Sequence, residues 1–288
     1  MEKRKIAILG GDGRFAVLAD RLSLEGYECA LWKTAKGNAD ECVLCADWRG
    51  AVNRAAAVIL PLPTTDDGVT LHLAESDDAP KLTEVVEALS RDTLLLIGKA
   101  PADLTRYAEK RGIVVADYYS SETFEIKNAL PTVEGALQLA LENLSRTICG
   151  GHFAVIGYGR IGRLLSDRLT KLGGSVTVYA RREESRALAE QYGCLAAPIE
   201  NVSCRSFDLI FNTVPTDILS STIISSTPAV LIDLAPVSRL SDSTELKMKN
   251  IQVMDAPALP GRLFPATAGQ ILADCILPLL RKKGIVSR

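Results

Sequence analysis

The segment that most restricts the fold of this chain is residues 153–162, which read Phe-Ala-Val-Ile-Gly-Tyr-Gly-Arg-Ile-Gly. It places GxGxxG between a predicted strand and a predicted helix, the context in which this motif binds a dinucleotide. Gly157 would make the tight turn, Gly159 would admit a pyrophosphate, and Gly162 would let the helix pack on the strand. The sequence therefore predicts a dinucleotide-binding unit, with contacts from Gly157, Tyr158, Gly159, Arg160, Ile161 and Gly162.

Short apolar runs alternate with helical patterns along the whole chain, which is typical of parallel sheets covered by helices. The first half predicts strands 5–10, 28–33, 57–62, 93–98 and 113–118, with helices 14–25, 81–90 and 102–111. The second half predicts strands 153–156, 175–179, 208–212, 230–233 and 252–255, with helices 160–172 and 183–192. We expect an α/β protein of two doubly wound, Rossmann-like parallel-sheet domains with an inter-domain cleft and a C-terminal helix returning to the first domain.

The length of 288 residues suits two domains. We expect an N-terminal substrate-side domain over 1–127, a connecting helix over 128–147, a cofactor domain over 148–264 and a C-terminal helix over 265–288. The helical pattern of the connecting segment, 133–146, begins behind Pro131, and Pro278 is expected to kink or break the last helix. Residues 261–269 have the pattern of a proline-bounded loop, which either brings Pro265 and Thr267 to the cofactor or only docks the last helix.

The strand over 175–179 leads into Arg181 and Arg182, where an NAD-specific site would carry a carboxylate for the adenosine ribose. Two guanidinium groups suit a 2′-phosphate instead, so the pocket is expected to prefer NADP(H). The alternative is that both arginines are solvated residues leading into a helix.

The next two strands also end in residues that can reach a cofactor, because the carboxyl edge of a parallel sheet is where such folds bind ligands. Lining of the nicotinamide ribose is predicted for Asn212, Thr213, Val214, Pro215, Asp233 and Ala235. An ordinary proline turn after residue 212 is the alternative.

The first strand ends in its own glycine turn, residues 10–14, which lacks the third glycine spacing of the fingerprint. A second nucleotide is therefore not expected, and the helix N-terminus beside Arg14 is interpreted as a carboxylate cradle. A small-anion pocket between the domains would add residues at the ends of later strands, namely Lys99, Ser120, Ser121 and Glu122. For each, a solvent-facing or capping role is the alternative. The two histidines, His72 and His152, are not expected to reach the site of hydride transfer.

Composition excludes several classes. Lys and Arg number 33 against 35 Asp and Glu, a net charge of −2, so a nucleic-acid partner is not expected. The apolar stretches are too short to span a membrane, and the N-terminus enters a strand without a secretory leader, which predicts a cytoplasmic protein. The pair Cys42 and Cys45 has no second pair nearby, so no metal site is predicted.

Four segments together resemble one known family: residues 8–14, 122–136, the GYGRIG fingerprint, and 258–271 with Leu-Pro-Gly-Arg-Leu-Phe-Pro-Ala-Thr-Ala-Gly-Gln. Over essentially its whole length the chain resembles the A subunits of dipicolinate synthase from spore-forming bacteria. That resemblance implies a two-domain enzyme of a branch of lysine biosynthesis that oxidises a CH–CH group, converting dihydrodipicolinate to dipicolinate with NADP⁺. It also implies a place in the mother cell during sporulation and a separate B subunit.

A dicarboxylate substrate would fit the edge around Arg14 and Lys99, and Lys99 and Glu122 are the candidates for the proton acceptor. A homo-oligomer stays open. One alternative is another two-domain NAD(P)-dependent dehydrogenase, acting on an amino or methylene-pterin substrate. The other is a nucleotide-binding subunit that is inactive alone and serves as a scaffold or redox sensor.

Overall fold

The structure is a computed structural model that describes residues 4–34, 42–73, 78–202, 207–215, 230–235 and 252–286. The chain folds as two compact units. The first is formed by Met1–Asn128 together with Pro260–Arg288, and the second by Ala129–Leu259. No helix in the described ranges is long and apolar enough to cross a membrane.

The first unit is built on a six-stranded parallel sheet in the order β3-β2-β1-β4-β5-β6. Its strands are β1 (Lys5–Leu9), β2 (Glu28–Trp32), β3 (Cys42–Leu44), β4 (Ala57–Ile59), β5 (Leu94–Ile97) and β6 (Val114–Asp117). Its helices are α1 (Gly13–Leu24), α2 (Trp48–Val52), α3 (Leu82–Glu87), α4 (Ala102–Lys110), α8 (Leu259–Leu263) and α9 (Pro265–Lys282). This is the Rossmann strand order, whose switch point lies between β1 and β4.

The central strand β1 shows why the strands of this sheet are continuous apolar runs. Ile6 and Ile8 belong to one core, with Phe15 of α1 and Leu272 of α9. Ala7 and Leu9 belong to a second core on the other face, with side chains from α2, α3 and α4. Because both faces are buried, alternate residues are equally apolar.

The C-terminal helix α9 packs on α1, which confirms the predicted return of this helix to the first domain. A Cβ at Gly269 would lie only 2.5 Å from Val17 Cβ and 2.6 Å from the Arg14 carbonyl oxygen. The two helix backbones therefore approach as closely as they do because this position carries no side chain.

The second unit repeats the plan with strands β7 (His152–Ile156), β8 (Ser175–Tyr179), β9 (Leu195–Ala197), β10 (Leu209–Asn212), β11 (Val230–Asp233) and β12 (Val253–Asp255). Their order is β12-β11-β10-β7-β8-β9, and all described pairs are parallel. Helices α6 (Arg160–Lys171) and α7 (Glu183–Gln191) follow β7 and β8. Numbered from their own first strands, the two sheets have the same strand order, which confirms the predicted pair of doubly wound α/β units.

The helix before the second unit begins earlier than predicted. α5 runs over Glu122–Asn143 and contains Pro131, so the predicted start behind that proline is wrong. Ser121 caps the helix by accepting a hydrogen bond from Phe124 N at 3.4 Å. Apolar side chains are buried both before the proline, at Phe124 and Ala129, and after it, at Val133. This burial offsets the loss of one backbone hydrogen bond at a proline, a cost of about 3 kcal/mol.

The segment 261–269 is helical where a loop is predicted. α8 ends at Leu263, and α9 begins with Pro265 at its first position, where a proline needs no hydrogen-bond partner for its nitrogen. Pro278 does not break α9, which continues to Lys282 along the buried side chains of Leu272, Ile276 and Leu280. The short edge strands β3 and β9 are absent from the prediction, because three residues are too few to show a pattern.

Candidate cofactor and substrate sites

The glycine turn of the second unit has the geometry of a dinucleotide site. Gly157 has φ 98°, and a Cβ there would overlap the Thr213 hydroxyl oxygen. A Cβ at Gly162 would overlap the carbonyl oxygen of Gly157. Gly159 differs, since a Cβ there would meet nothing within 4 Å. Two glycines thus close the turn onto the sheet, while the middle one leaves the space in which a pyrophosphate fits.

The N-terminus of α6 is open to an anion. Gly159 is its cap residue and provides no side-chain hydrogen bond, and its first turn carries no acidic residue. Its first N–H groups and the positive end of its dipole therefore have no negative side chain in that turn to neutralise them. Arg160 is the first residue of the helix and Ile161 the second. The Tyr158 ring is buried, which raises the pKa of its hydroxyl, and its carbonyl accepts a hydrogen bond from Arg163 Nε at 3.2 Å.

The turn after β8 presents the predicted phosphate-binding arginines. Arg181 and Arg182 are exposed, and neither forms an ion pair with another described residue. Arg186, one helical turn further on, donates from Nη1 to the carbonyl oxygens of Ala180 at 2.9 Å and Arg181 at 2.8 Å. The sequence reasoning missed Arg186. Arg186 hydrogen-bonds the backbone of this turn, while the side chains of Arg181 and Arg182 lie at the surface.

The ends of β10 and β11 are joined through the side chains of Asn212 and Asp233. Asn212 Nδ2 donates to Asp233 Oδ1 at 2.8 Å and to the Val214 carbonyl oxygen at 2.8 Å. Asp233 Oδ1 also accepts from Ala235 N at 3.2 Å, and Thr213 Oγ1 donates to the Ile156 carbonyl oxygen at 2.8 Å. The predicted residues at these two strand ends thus form one network beside the glycine turn, followed by the exposed Pro215.

One oxygen of this network is unpaired. Asp233 is 2% exposed, and its Oδ2 has no hydrogen-bond partner among the described residues. A buried carboxylate oxygen without a donor is costly, so its place at the carboxyl edge suits a ligand that brings a hydroxyl or amide donor. Together with the open Gly159 and the uncapped α6, this atom fits a bound dinucleotide.

The glycine turn of the first unit is closed by its own chain. A Cβ at Gly13 would lie 3.1 Å from Pro265 Cβ, and one at Gly261 would overlap the Asp12 carboxylate. Asp12 caps α1 by accepting from Arg14 N at 3.1 Å. The predicted cradle is therefore filled by Asp12, whose carboxylate takes the place expected for a ligand. Pro265 packs on this turn, and Thr267 is exposed on the first turn of α9.

The Arg14 side chain forms an ion pair with the Asp12 carboxylate. Its side chain donates from Nε to Asp12 Oδ1 at 2.8 Å and from Nη2 to Oδ2 at 2.7 Å, and the residue is only 4% exposed. A substrate contact by Arg14 stays a prediction, and such a contact would compete with this half-buried pair.

Two exposed lysines stand at the carboxyl edge of the first sheet. Lys99 directly follows Gly98 after β5, and Lys33 directly follows β2. Both have a left-handed backbone, with φ 55° and φ 53°, which is unusual for a residue other than glycine. Lys99 N donates to Asp117 Oδ1 at 3.3 Å, so the end of β6 fixes its turn. Lys33 and Asp117 were not predicted. The left-handed backbone of a lysine has no sequence signal, and the contact of Asp117 with the turn at Lys99 is made only in the folded sheet.

The residues after β6 serve the local backbone. Ser120 Oγ donates to the Asp117 carbonyl oxygen at 2.8 Å, and Ser121 is the cap of α5, as the capping alternative predicts. Glu122 is exposed at the first position of α5. Direct substrate contacts by these three residues stay predictions.

The His72 backbone lies at this edge, and the expectation that neither histidine reaches the site of hydride transfer stays a prediction. Its backbone N–H donates to the Thr64 carbonyl oxygen at 2.9 Å, and Gly98 N donates to Thr64 Oγ1 at 2.9 Å. A Cβ at Gly10 would lie 3.1 Å from the His72 carbonyl oxygen. The loop over residues 64–72 thus contacts the ends of both β1 and β5. No pattern in its sequence predicts that it folds back over these strand ends.

Two Rossmann-type units in one chain, one of them with an open glycine turn, define a two-domain oxidoreductase that carries a dinucleotide site. The second unit matches the family model described as "NADP oxidoreductase coenzyme F420-dependent" over residues 152–236. The first matches the family model of the N-terminal domain of the dipicolinate synthase A subunit over residues 5–119. The chain is accordingly similar to the A subunits of dipicolinate synthase, and the resemblance predicted from the sequence is confirmed.

The similarity extends over nearly the whole chain. It is 29% identical over 283 residues to the dipicolinate synthase A subunit of Bacillus subtilis (strain 168), covering 96% of this chain and 95% of that protein. The crystal structure of the Bacillus subtilis protein matches with TM-score 0.77 and 25% identity, covering 99% and 98% of the two chains. That of the Bacillus halodurans protein matches with TM-score 0.80 and 25% identity, covering 96% and 97%.

Proposed function

We propose that this chain oxidises dihydrodipicolinate to dipicolinate with NADP⁺, as the A subunit of a dipicolinate synthase. The observation that carries the proposal is the difference between the two glycine turns. The second-unit turn is open at Gly159, whereas the first-unit turn is filled by Asp12 and covered by Pro265. One unit is thus suited to the nucleotide, and the carboxyl edge of the other is left for a second, smaller ligand.

The proposed cofactor is NADP⁺ rather than NAD⁺. Arg181 and Arg182 supply exposed positive charge at the strand end where the adenosine ribose would bind, and neither Ala180 nor the arginines offer a carboxylate to hold a 2′-hydroxyl. The α6 N-terminus would hold the pyrophosphate, and Asp233 Oδ2 would accept a hydrogen bond from the nicotinamide half. Bound there, the nicotinamide supplies a hydride acceptor.

The proposed substrate is a small dicarboxylate at the carboxyl edge of the first sheet. Lys99 and Lys33 each offer an exposed ammonium that can pair with a carboxylate. The predicted contacts from Arg14, Ser120, Ser121 and Glu122 belong to the same edge. Dihydrodipicolinate loses one hydride and one ring proton, and the ring becomes aromatic, so positioning of the substrate accounts for much of the required catalysis.

The proposed setting is a complex with a B subunit in the cytoplasm of the mother cell. The Bacillus subtilis relative is named as one lettered subunit of its enzyme, which supports the presence of a second. Both a shared active site and a homo-oligomer are compatible with this assignment.

The test is turnover. Dihydrodipicolinate is generated in situ, and dipicolinate and NADPH are followed by absorbance with the chain alone and with its candidate B subunit. We expect both products to form in equal amounts. Failure to form dipicolinate under either condition would overturn the proposed function, and bound NADPH without turnover would favour a scaffold or sensor role.

A further inference from the structure

We propose that His72, paired with Asp66, is the base that removes the ring proton during this oxidation. The inference rests on the proposed function and assigns a residue that neither the fingerprint nor the predicted substrate contacts include. It depends on the geometry of residues 64–72, the loop that follows β4 and returns across the carboxyl edge of the first sheet.

The pair has the arrangement of a histidine prepared to accept a proton. His72 Nδ1 lies 2.5 Å from Asp66 Oδ2. Because a carboxylate only accepts, Nδ1 carries the hydrogen of this bond, and Nε2 of the neutral ring carries the lone pair. None of the described residues hydrogen-bonds Nε2, and the His72 side chain is 31% exposed.

The loop holds the pair in a fixed position. Thr64 is fully buried, and its backbone N–H donates to the Gly98 carbonyl oxygen at 2.8 Å. Asp67 Oδ1 accepts from Val69 N and Thr70 N, both at 2.8 Å. The hydrogen bond from Thr70 N is the largest of several that hold the pKa of Asp67 well below its usual range. Thr64 and Asp67, on the two sides of Asp66, and the backbone N–H of His72 are thus bonded to the sheet or within the turn.

The place of the pair agrees with the proposed substrate edge. The His72 backbone covers Gly10 at the end of β1, and Thr64 joins it to Gly98, the residue before Lys99. The end of β1 beside β4 is the switch point of this sheet, where such folds bind ligands. Lys99 is assigned here to holding the substrate rather than to the base, because its exposed side chain offers N–H donors to a carboxylate. It is suited to hold a substrate carboxylate beside His72.

The oxidation removes one proton and one hydride from the substrate. A ring C–H bond of dihydrodipicolinate breaks, and its proton forms an N–H bond at His72 Nε2. The electron pair of that bond becomes part of the aromatic ring, and a hydrogen on another ring carbon leaves with its electron pair as the hydride taken by NADP⁺. The resulting imidazolium is stabilised by the Asp66 carboxylate and then passes its proton to water.

The experiment compares His72→Ala with His152→Ala, the substitution of the other histidine in the chain, in complex with the B subunit. For His72→Ala we expect kcat to fall by ~100-fold or more, the usual contribution of a general base. The KM for substrate and the affinities for NADP⁺ and dipicolinate should stay near those of the wild type. Added imidazole should restore the rate in proportion to its concentration, an effect that a purely structural role would not produce. His152→Ala should behave as wild type.

Three further outcomes separate this inference from the function on which it rests. A wild-type protein that turns over while His72→Ala and His72→Gln retain its kcat would overturn the base assignment alone. Loss of turnover without rescue by imidazole, accompanied by equal loss of dipicolinate binding, would also overturn it. A wild-type protein that forms no dipicolinate would overturn the proposed function itself. Asp66→Asn should lower kcat less than His72→Ala, because the base remains but its charged form loses its partner.

Discussion

The side chains of Asn212 and Asp233, at the ends of neighbouring strands β10 and β11, share a hydrogen bond of 2.8 Å in which Asn212 Nδ2 donates to Asp233 Oδ1. This bond joins the two strand ends that lie beside the glycine turn. It also leaves Asp233 Oδ2 buried without a donor among the described residues, the atom that most directly indicates a ligand site in the second unit.

Asp233→Ala should therefore lower both stability and nucleotide affinity. The substitution removes the acceptor of Asn212 Nδ2 and Ala235 N, which should cost about 1–3 kcal/mol in the free energy of unfolding. Denaturant titration with and without NADP⁺ measures both effects, because bound ligand adds to the stability of the native state. If NADP⁺ stabilised the variant as much as the wild type, Asp233 would not contact the nucleotide.

Gly159→Ala and Gly162→Ala form a matched pair. The Cβ at residue 162 would overlap the Gly157 carbonyl oxygen, so this variant should unfold at lower denaturant concentration even without ligand. The Cβ at residue 159 meets nothing within 4 Å, so that variant should be as stable as wild type but bind NADP⁺ at least ~10-fold more weakly, about 1.4 kcal/mol. Equal destabilisation of both unliganded variants would contradict the assignment of the open space to the pyrophosphate.

The double variant Arg181→Ala with Arg182→Ala should change cofactor preference. Loss of the charge-assisted hydrogen bonds to a 2′-phosphate should weaken NADP⁺ by about 1.5–3 kcal/mol and leave NAD⁺ nearly unchanged. Fluorescence titrations with NADPH and NADH measure the two affinities. Arg168→Ala, at a half-buried arginine of α6, is the control, and an equal loss for both cofactors would refute the phosphate assignment.

Tyr118 should make the stability of the first unit fall at alkaline pH. The ring is fully buried and its hydroxyl donates to the Leu60 carbonyl oxygen at 2.8 Å, and burial raises the pKa of this tyrosine well above its usual value. The folded state thus keeps a proton that the unfolded state loses. The contribution of Tyr118 to the free energy of unfolding is therefore complete below pH 10 and falls as the pH rises through and above that value.

The corresponding measurement is the free energy of unfolding between pH 8 and pH 11. Tyr118→Phe should cost about 0.5–1.5 kcal/mol at neutral pH, for the lost hydrogen bond, and should show a smaller decline above pH 10. A decline of the same size in the variant and the wild type would show that other groups cause it.

Much of the fold could be predicted because the signals are local. The strand before Gly157 and the helix after Gly162 are continuous apolar patterns, and the same holds for β1 and α1. The edge strands β3 and β9 could not be predicted, because each has only three residues and is defined by its hydrogen bonds to the neighbouring strand, β2 or β8. Pro131 was misleading for a related reason, since burial of Val133 and Ala129 outweighs a local preference.

The site could be predicted where one segment supplies it and not where distant segments meet. The glycine fingerprint and the two arginines after β8 each lie within a few consecutive residues. The closure of the first turn depends on Pro265 and Gly261, far along the chain from Asp12. The return of His72 across the end of β1 depends on a backbone hydrogen bond to Thr64 and on Thr64 bonding to Gly98, which no spacing reveals.

We expect the two units of the same fold to bind different ligands, with the nucleotide bound only by the second. Isothermal titration of the wild-type chain with NADP⁺ tests it most directly. We predict one NADP⁺ bound per chain, with this binding weakened at least ~10-fold by Gly159→Ala and retained when the first-unit turn is altered by Gly13→Ala. Two molecules per chain, or full-affinity binding in Gly159→Ala, would contradict it.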